Sequence, residues 1–278
     1  MFDTLKPAAP DAILMLMGLY RDDPRSDKLD LGVGVYKDAQ GHTPIMRAVR
    51  EAEKRLFEEQ NTKAYLGLAG DVRFNAQMTD LVFGGSVDKT RLRAVQAPGG
   101  SGAIRMLAEL IKVTNSDATV WVPDPTWPNH VPILRSATLK TAAYPYFDAA
   151  TSSVRFDAMI DALKALPAGD IVVLHGCCHN PTGADLTIEQ WNVLAGILAE
   201  RGLIPFVDIA YQGFGDGLDE DAAGLRILVD AVPELMAAAS CSKNFSVYRD
   251  RAGVAFLLGR NSGEADIAQG QLQGAGRV

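Results

Sequence analysis

Short, strand-like stretches at 118–122, 171–174, 204–207 and 235–239, of which 171–174 and 235–239 are continuous apolar runs, constrain this chain more than any other feature. Runs of this length with no polar alternation are expected of strands buried on both faces, which means a parallel sheet with covered sides. Helical stretches predicted at 103–113, 156–166, 187–202 and 219–232 separate them. Strands alternating with helices specify an α/β fold with a mostly parallel sheet flanked by helices. Such folds place their chemistry at the carboxyl ends of the strands. The residues that close these runs are therefore the ones to read.

Composition narrows the class. The chain has 278 residues, 47% hydrophobic and 22% charged, with a net charge of −7. No basic stripe is visible, which argues against nucleic acid as a partner. No apolar run is long enough to span a bilayer, and residues 1–4 lack the basic and apolar regions of a signal peptide. The three cysteines, Cys177, Cys178 and Cys241, form a poor disulfide framework and suit a reducing compartment. Cys177-Cys178-His179 suggests a metal, but neighbouring residues do not easily converge on one tetrahedral ion and no second ligand pair stands at zinc spacing. The expectation is a soluble, cytoplasmic protein without a metal.

In chain order, residues 1–12 read as an extended arm and 13–20 as a short apolar helix. Residues 29–36 alternate apolar and small residues and read as a strand, whose glycines mark either a close approach or a bulge. Thr43-Pro44 is a helix start, with Thr43 as N-cap and Pro44 in the first turn. Ile45, Val49, Ala52 and Leu56 then share an inward face. Leu92 to Ala97 is a strand, and Gly253 to Gly259 another. Residues 263–276 look helical.

Five features stand at strand ends. After 92–97 comes Pro98-Gly99-Gly100-Ser101-Gly102, a turn that offers free backbone N–H groups to an anion at the start of a helix; it is neither a Walker loop nor a good dinucleotide fingerprint. After 118–122 comes a proline-stiffened loop with Trp127, either a stacking plate or a packing tryptophan. After 171–174, Pro181 biases Asn180 towards an extended conformation. Run 204–208 ends in Asp208, a carboxylate that needs a partner, with Tyr211 three residues on. After 235–239 comes Ser240-Cys241-Ser242-Lys243, with Arg251 downstream. Alone, Lys243 reads as a solvated loop lysine or as a Schiff-base former beside a phosphate cradle of Ser240, Ser242 and Arg251. Together the five match the phosphate, flat ring, phenolic oxygen, ring nitrogen and aldehyde of pyridoxal phosphate (PLP).

The segments Leu31-Gly-Val-Gly-Val-Tyr-Lys-Asp, Ala97-Pro-Gly-Gly-Ser-Gly-Ala, Asp124-Pro-Thr-Trp-Pro-Asn-His, His175-Gly-Cys-Cys-His-Asn-Pro-Thr-Gly, Asp208-Ile-Ala-Tyr-Gln-Gly-Phe and Ser240-Cys-Ser-Lys-Asn-Phe follow one another in order. In them the chain resembles the class I aminotransferases of the aspartate and aromatic branch, fold-type I PLP enzymes. The resemblance implies that Lys243 bonds the cofactor and shuttles the proton. It implies that Asp208 keeps the ring nitrogen protonated, and that Tyr211 and Asn180 hydrogen-bond the phenolic oxygen. Trp127 would stack on the ring, with Gly100, Ser101, Ser240, Ser242 and Arg251 on the phosphate. Tyr65 would reach the phosphate of a second subunit in a homodimer with shared sites. His130 would lie behind the aspartate. Gly34, Trp127, Asn180 and Arg277 would line the substrate pocket, Arg277 for a dicarboxylic side chain.

The resemblance also implies a domain plan: an arm over 1–12, the first part of a small domain over 13–45 and a large PLP-binding domain over 46–278. Family chains run further, so a C-terminally truncated member is expected, without the region that grips the substrate α-carboxylate. The implied reaction is transamination between aspartate or an aromatic amino acid and 2-oxoglutarate. The alternatives are another fold-type I activity, a lyase or decarboxylase, and an inactive PLP-binding fragment.

Overall fold

The computed structural model describes residues 2–4, 12–30, 32, 34–85 and 87–276. The chain divides into two units, Met1–Pro44 and Ile45–Val278. The first holds a 3-10 turn, Phe2–Thr4, and helix α1, Ala12–Asp22. Beyond α1, Lys28 donates to the carbonyls of Tyr20 and Asp23, both at 2.6 Å. Residues 29–36 are not a strand where they are described. A strand needs a neighbour to satisfy its N–H and C=O groups, and no other strand is described in this unit.

In the second unit the order is α2 (Arg47–Glu59), α3 (Val72–Phe83), β1 (Leu92–Pro98), α4 (Gly99–Thr114), β2 (Thr119–Asp124), α5 (His130–Ser136) and β3 (Lys140–Pro145). A small hairpin, β4 (Phe147–Asp148) and β5 (Ser153–Val154), leads to α6 (Phe156–Lys164) and β6 (Ile171–His175). Then come α7 (Ile188–Arg201), β7 (Ile204–Ile209), α8 (Ala223–Ala231), β8 (Leu235–Ser240), β9 (Ala252–Leu258) and α9 (Ser262–Ala275).

Seven strands form one sheet in the order β1-β9-β8-β7-β6-β2-β3. All neighbouring pairs are parallel except those of β9, which runs antiparallel to both β8 and β1. The expected α/β class holds, with one reversed strand. Side chains alternate between two apolar layers. Val172, Leu174 and Val207 face one, with α6, α7 and α8; Ile171, Val173 and Phe206 face the other, with α4. This period-two alternation is what buries both faces.

Local signals explain some boundaries. Thr187 and Gln190 make the full capping box of α7, and Gly202 closes it in the left-handed region at φ 63°. Other expectations fail. Helix α2 starts at Arg47 with Met46 before it, so Thr43 stands outside the helix, its hydroxyl donating to the Tyr36 carbonyl at 3.0 Å. No residue of α2 is buried: of its expected inward face Ile45, Ala52 and Leu56 are exposed and Val49 is half-buried. Helix α4 begins at Gly99, so Gly99 to Gly102 form its first turn rather than a loop before it. The helix expected over 219–232 is confined to α8, because the backbone over 213–217 folds onto the Asp221 carboxylate.

Candidate active site

The reversed β9 shapes the site. Because it runs against its neighbours, its first residues stand at the edge where β8 and β1 end: Ser240 pairs with Gly253 and Pro98 with Ala252. Arg251, just before β9, therefore joins the parallel strands' carboxyl ends. Its guanidinium lies against Gly99, where a Cβ would come within 2.6 Å of Nη2. Arg251 Nη1 donates to Ser242 Oγ at 3.3 Å and to the Tyr248 carbonyl at 3.2 Å. Ser242 N–H donates to Ser240 Oγ at 3.2 Å. At Gly100 a Cβ would sit 3.1 Å from Ser240 Cβ. Both serines are buried, and Ser101 is partly buried beside them in the first turn of α4. A cationic fork, two hydroxyls and the N-terminus of a 16-residue helix make a cradle for a dianion.

Two strands away, Asp208 Oδ2 lies 3.0 Å from His130 Nε2, with His130 only 1% exposed. His130 Nδ1 lies 2.7 Å from Thr126 Oγ1, which lies 3.2 Å from His175 Nε2. The Asn180 backbone N–H points at His175 Nδ1, 3.4 Å away. Fixed groups at both ends set the direction. The Asn180 N–H can only donate, so His175 carries its proton on Nε2 and donates to Thr126. Thr126 then donates to His130 Nδ1, and His130 donates from Nε2 to the carboxylate. Asp208 thus has one oxygen engaged from behind by the His130 ring.

The Asn180 side chain meets the Tyr211 hydroxyl at 3.3 Å, so the two form a hydrogen-bonding pair. Lys243 Nζ stands over the Tyr211 ring, 4.6 Å from its centre. Trp127 meets His130 edge-on at 5.2 Å and 87°. Acid, amine, anion cradle, amide–phenol pair and indole thus all come from one sheet edge. Donors suited to a phosphate, an acceptor suited to a protonated ring nitrogen and an amine suited to a carbonyl fit PLP.

Three expected site residues stand apart. Gly34 belongs to the unit Met1–Pro44. Tyr65 is fully exposed. Arg277 lies outside the described residues. Thr126 and His175 escaped the sequence reading; their one signal is the four-residue spacing of Thr126 and His130 around a proline-rich loop.

The cysteines come closer to a third ligand than expected. Cys177 Sγ, Cys178 Sγ and an Asp221 carboxylate oxygen lie within 4.8 Å of one another. The Asp221 oxygens already accept four backbone N–H groups, from Gly213, Gly215, Asp216 and Gly217. Burial pushes both thiols up, Cys177 furthest. Neutral thiols beside a satisfied carboxylate make a poor ion cage.

Burial also holds two histidines neutral: His175 is pushed down to about 2 and His179 to about 4. Their native values lie below the ordinary 6.5. Between the two limits the unfolded chain binds more protons, so this stability is fully present above pH 6.5 and is lost as pH falls. One such imidazole contributes a slope of up to about 1.4 kcal/mol per pH unit. The urea midpoint is expected to drop between pH 7 and 5.5, before most carboxylates titrate. A flat midpoint over that interval would contradict the neutral assignment.

Comparison with known proteins gives a consistent set. The family model "Aminotransferase class I and II" matches residues 26–264. An aromatic-amino-acid aminotransferase of Paracoccus denitrificans is 51% identical over 272 residues, covering 98% of this chain and 69% of that protein. The aspartate aminotransferase of Escherichia coli K12 is 45% identical over 281 residues, covering 100% of this chain and 71% of its own. Among solved structures, an aromatic-amino-acid aminotransferase from Burkholderia pseudomallei, covalently bound to pyridoxal phosphate, superposes with a TM-score of 0.96 at 38% identity. It covers 100% of this chain and 70% of that one.

Proposed function

This chain belongs to the class I and II aminotransferases, and from that premise we propose that it moves an amino group from aspartate or an aromatic amino acid to 2-oxoglutarate, using PLP bonded to Lys243. When bound, PLP supplies an aldehyde that condenses with amines and a protonated ring that takes up the electron pair left at the substrate Cα. The observation that carries this reading is the arrival of acid, amine and cradle at one edge from four strands: Asp208 on β7, Lys243 after β8, Arg251 before β9 and Gly100 after β1.

Each residue then has one task. Gly100, Ser101, Ser240, Ser242 and Arg251 bind the phosphate. Asp208 would pair with the ring nitrogen, and His130, 3.0 Å from Oδ2, keeps the carboxylate aimed. Asn180 and Tyr211 would hydrogen-bond the phenolic oxygen, and Trp127 would cover the ring. Lys243 Nζ takes the proton from the substrate Cα and returns it elsewhere. Trp127 and Asn180 would line the substrate pocket, and the family resemblance assigns Gly34 and Arg277 to the substrate as well. Residues 13–45 are read as the start of a small domain and 46–278 as a larger cofactor-binding domain. Incubating the protein with PLP and aspartate or phenylalanine is expected to yield the matching 2-oxo acid in a single half-reaction. Release of ammonia or carbon dioxide instead would contradict transamination.

The working unit of this reading is a homodimer with shared sites. Supporting it, Leu56, Phe57, Tyr65, Leu66, Leu68 and Val72 form a run of exposed apolar and aromatic residues, of the kind that a partner covers. Tyr65 then reaches the second copy's phosphate. Sedimentation should give twice the chain mass, and Leu56→Glu with Phe57→Glu should return it to a single chain; a wild-type monomer would contradict the shared site. A cytoplasmic location suits the three free cysteines, and no described helix is long and apolar enough to cross a membrane. Recovery of the protein outside the cell would contradict that location.

A further inference from the structure

Behind the hydrogen-bonded chain stands a column of rings. Tyr146 and His179 stack with centroids 4.2 Å apart and planes 13° apart. His179 lies against His175 at 4.1 Å and 31°. His175 in turn meets His130 edge-on at 5.1 Å and 77°. We propose that His179 is a positioning residue of the transamination site: its ring, held between Tyr146 and His175, fixes His175 and, through Thr126 and His130, the hydrogen bond that Asp208 receives. The proposal rests on the function assigned above for its consequence in catalysis, but its geometry does not depend on it.

Three observations support a role for the face of His179. First, the ring is anchored on its far face by Tyr146 and at Nδ1, and its backbone is held as well. The Tyr146 hydroxyl donates to the Ala184 carbonyl at 2.7 Å, His179 Nδ1 meets Thr182 Oγ1 at 2.9 Å, and His179 N–H donates to Asp185 Oδ1 at 2.8 Å. Second, His179 Nε2 is buried and has no hydrogen-bond partner, so that edge of the ring does nothing polar. Third, among the described residues His175 meets the Asn180 N–H at 3.4 Å on Nδ1 and Thr126 Oγ1 at 3.2 Å on Nε2, two long bonds that set the tautomer but hold the plane of the ring loosely. A flat neighbour at stacking distance supplies the missing constraint. The charged and titratable groups around the column are Asp208, Asp185, His130 and Tyr146. Because burial keeps His175 and His179 neutral at neutral pH, the two imidazoles stack without repulsion.

Two substitutions separate stacking from loop support. His179→Phe keeps a flat ring and loses both nitrogens; His179→Gln keeps a group that can reach Thr182 and loses the ring. In the cofactor-free chain, the ring N–H protons at Nε2 of His130 and His175 should give slowly exchanging proton NMR signals in wild type and in His179→Phe. In His179→Gln those protons should exchange at least about tenfold faster. With PLP bound, kcat should fall about tenfold in His179→Gln with KM nearly unchanged, and recover in His179→Phe, the size expected of a misaimed rather than missing group. Tyr146→Leu removes the outer plate and leaves His179 in place; it should speed the same exchange to a lesser degree, and it answers the question if a His179 variant does not fold. Slow exchange retained in His179→Gln, or lost equally in His179→Phe, overturns the proposal. The NMR readings need no cofactor, so expected exchange rates without turnover would count against the assigned function and leave the positioning role intact.

Discussion

Replacing Lys243 with Ala is expected to lower transamination by about 10⁴-fold or more and to abolish the absorbance band of covalently held PLP. The variant removes the amine that bonds the cofactor and the base that moves the Cα proton, and general acid–base transfer alone contributes up to about 10⁴-fold. The fold should survive. Lys243 is partly exposed just past the end of β8, and its described contact is the 4.6 Å approach to the Tyr211 ring. Lys243→Arg should not rescue, because a guanidinium stays protonated and cannot condense with a carbonyl. Half-reaction kinetics with aspartate and with phenylalanine check this. A Lys243→Ala rate within about tenfold of wild type would remove the lysine from the mechanism.

Asp208→Asn is expected to lower kcat by about 10³-fold while leaving the protein folded. The substitution preserves shape and can still accept from His130, so the 3.0 Å bond behind it survives. What is lost is the negative charge that keeps a proton on the ring nitrogen, and with it the charge that stabilises the developing carbanion. Removing one preorganised electrostatic partner has effects of about 10²–10³-fold; a group that also sets the cofactor's protonation lies at the upper end. Asp208→Glu should fall between the two, since it keeps the charge and misplaces it. The check is the rate of the amino acid half-reaction at saturating PLP. A loss confined to KM would mean that Asp208 binds substrate rather than tuning the cofactor.

Much of this site was legible in the sequence because strand ends are marked by composition. The apolar runs now seen as β6, β7 and β8 stop at His175, Ile209 and Ser240, and Asp208 stood out as an acid closing a buried run. Thr187 with Gln190 and Gly202 marked both ends of α7. Strand direction was not legible: the apolar pattern of β9 is the same read either way, yet its reversal is what delivers Arg251 to the cradle. The 29–36 segment has strand-like alternation, but pairing is decided by neighbours, not by alternation. Thr43 has the chemistry of a cap, but the helix begins four residues later, at Arg47. The inward face expected of α2 exists as a pattern, and nothing in a single chain says what covers it. Thr126, His175 and His179 are hard to read from sequence because a hydrogen-bonded chain and a ring stack join residues far apart in the chain, and the four-residue spacing of Thr126 and His130 is a weak signal.

The most direct test of the account is to load the protein with PLP, reduce it with borohydride to lock any C=N bond as a secondary amine, and map the added mass by peptide sequencing. The account predicts one pyridoxyl phosphate per chain, carried by the peptide containing Lys243 and absent after Lys243→Ala. The adduct on any other lysine, or an unchanged mass after loading and reduction, would contradict it.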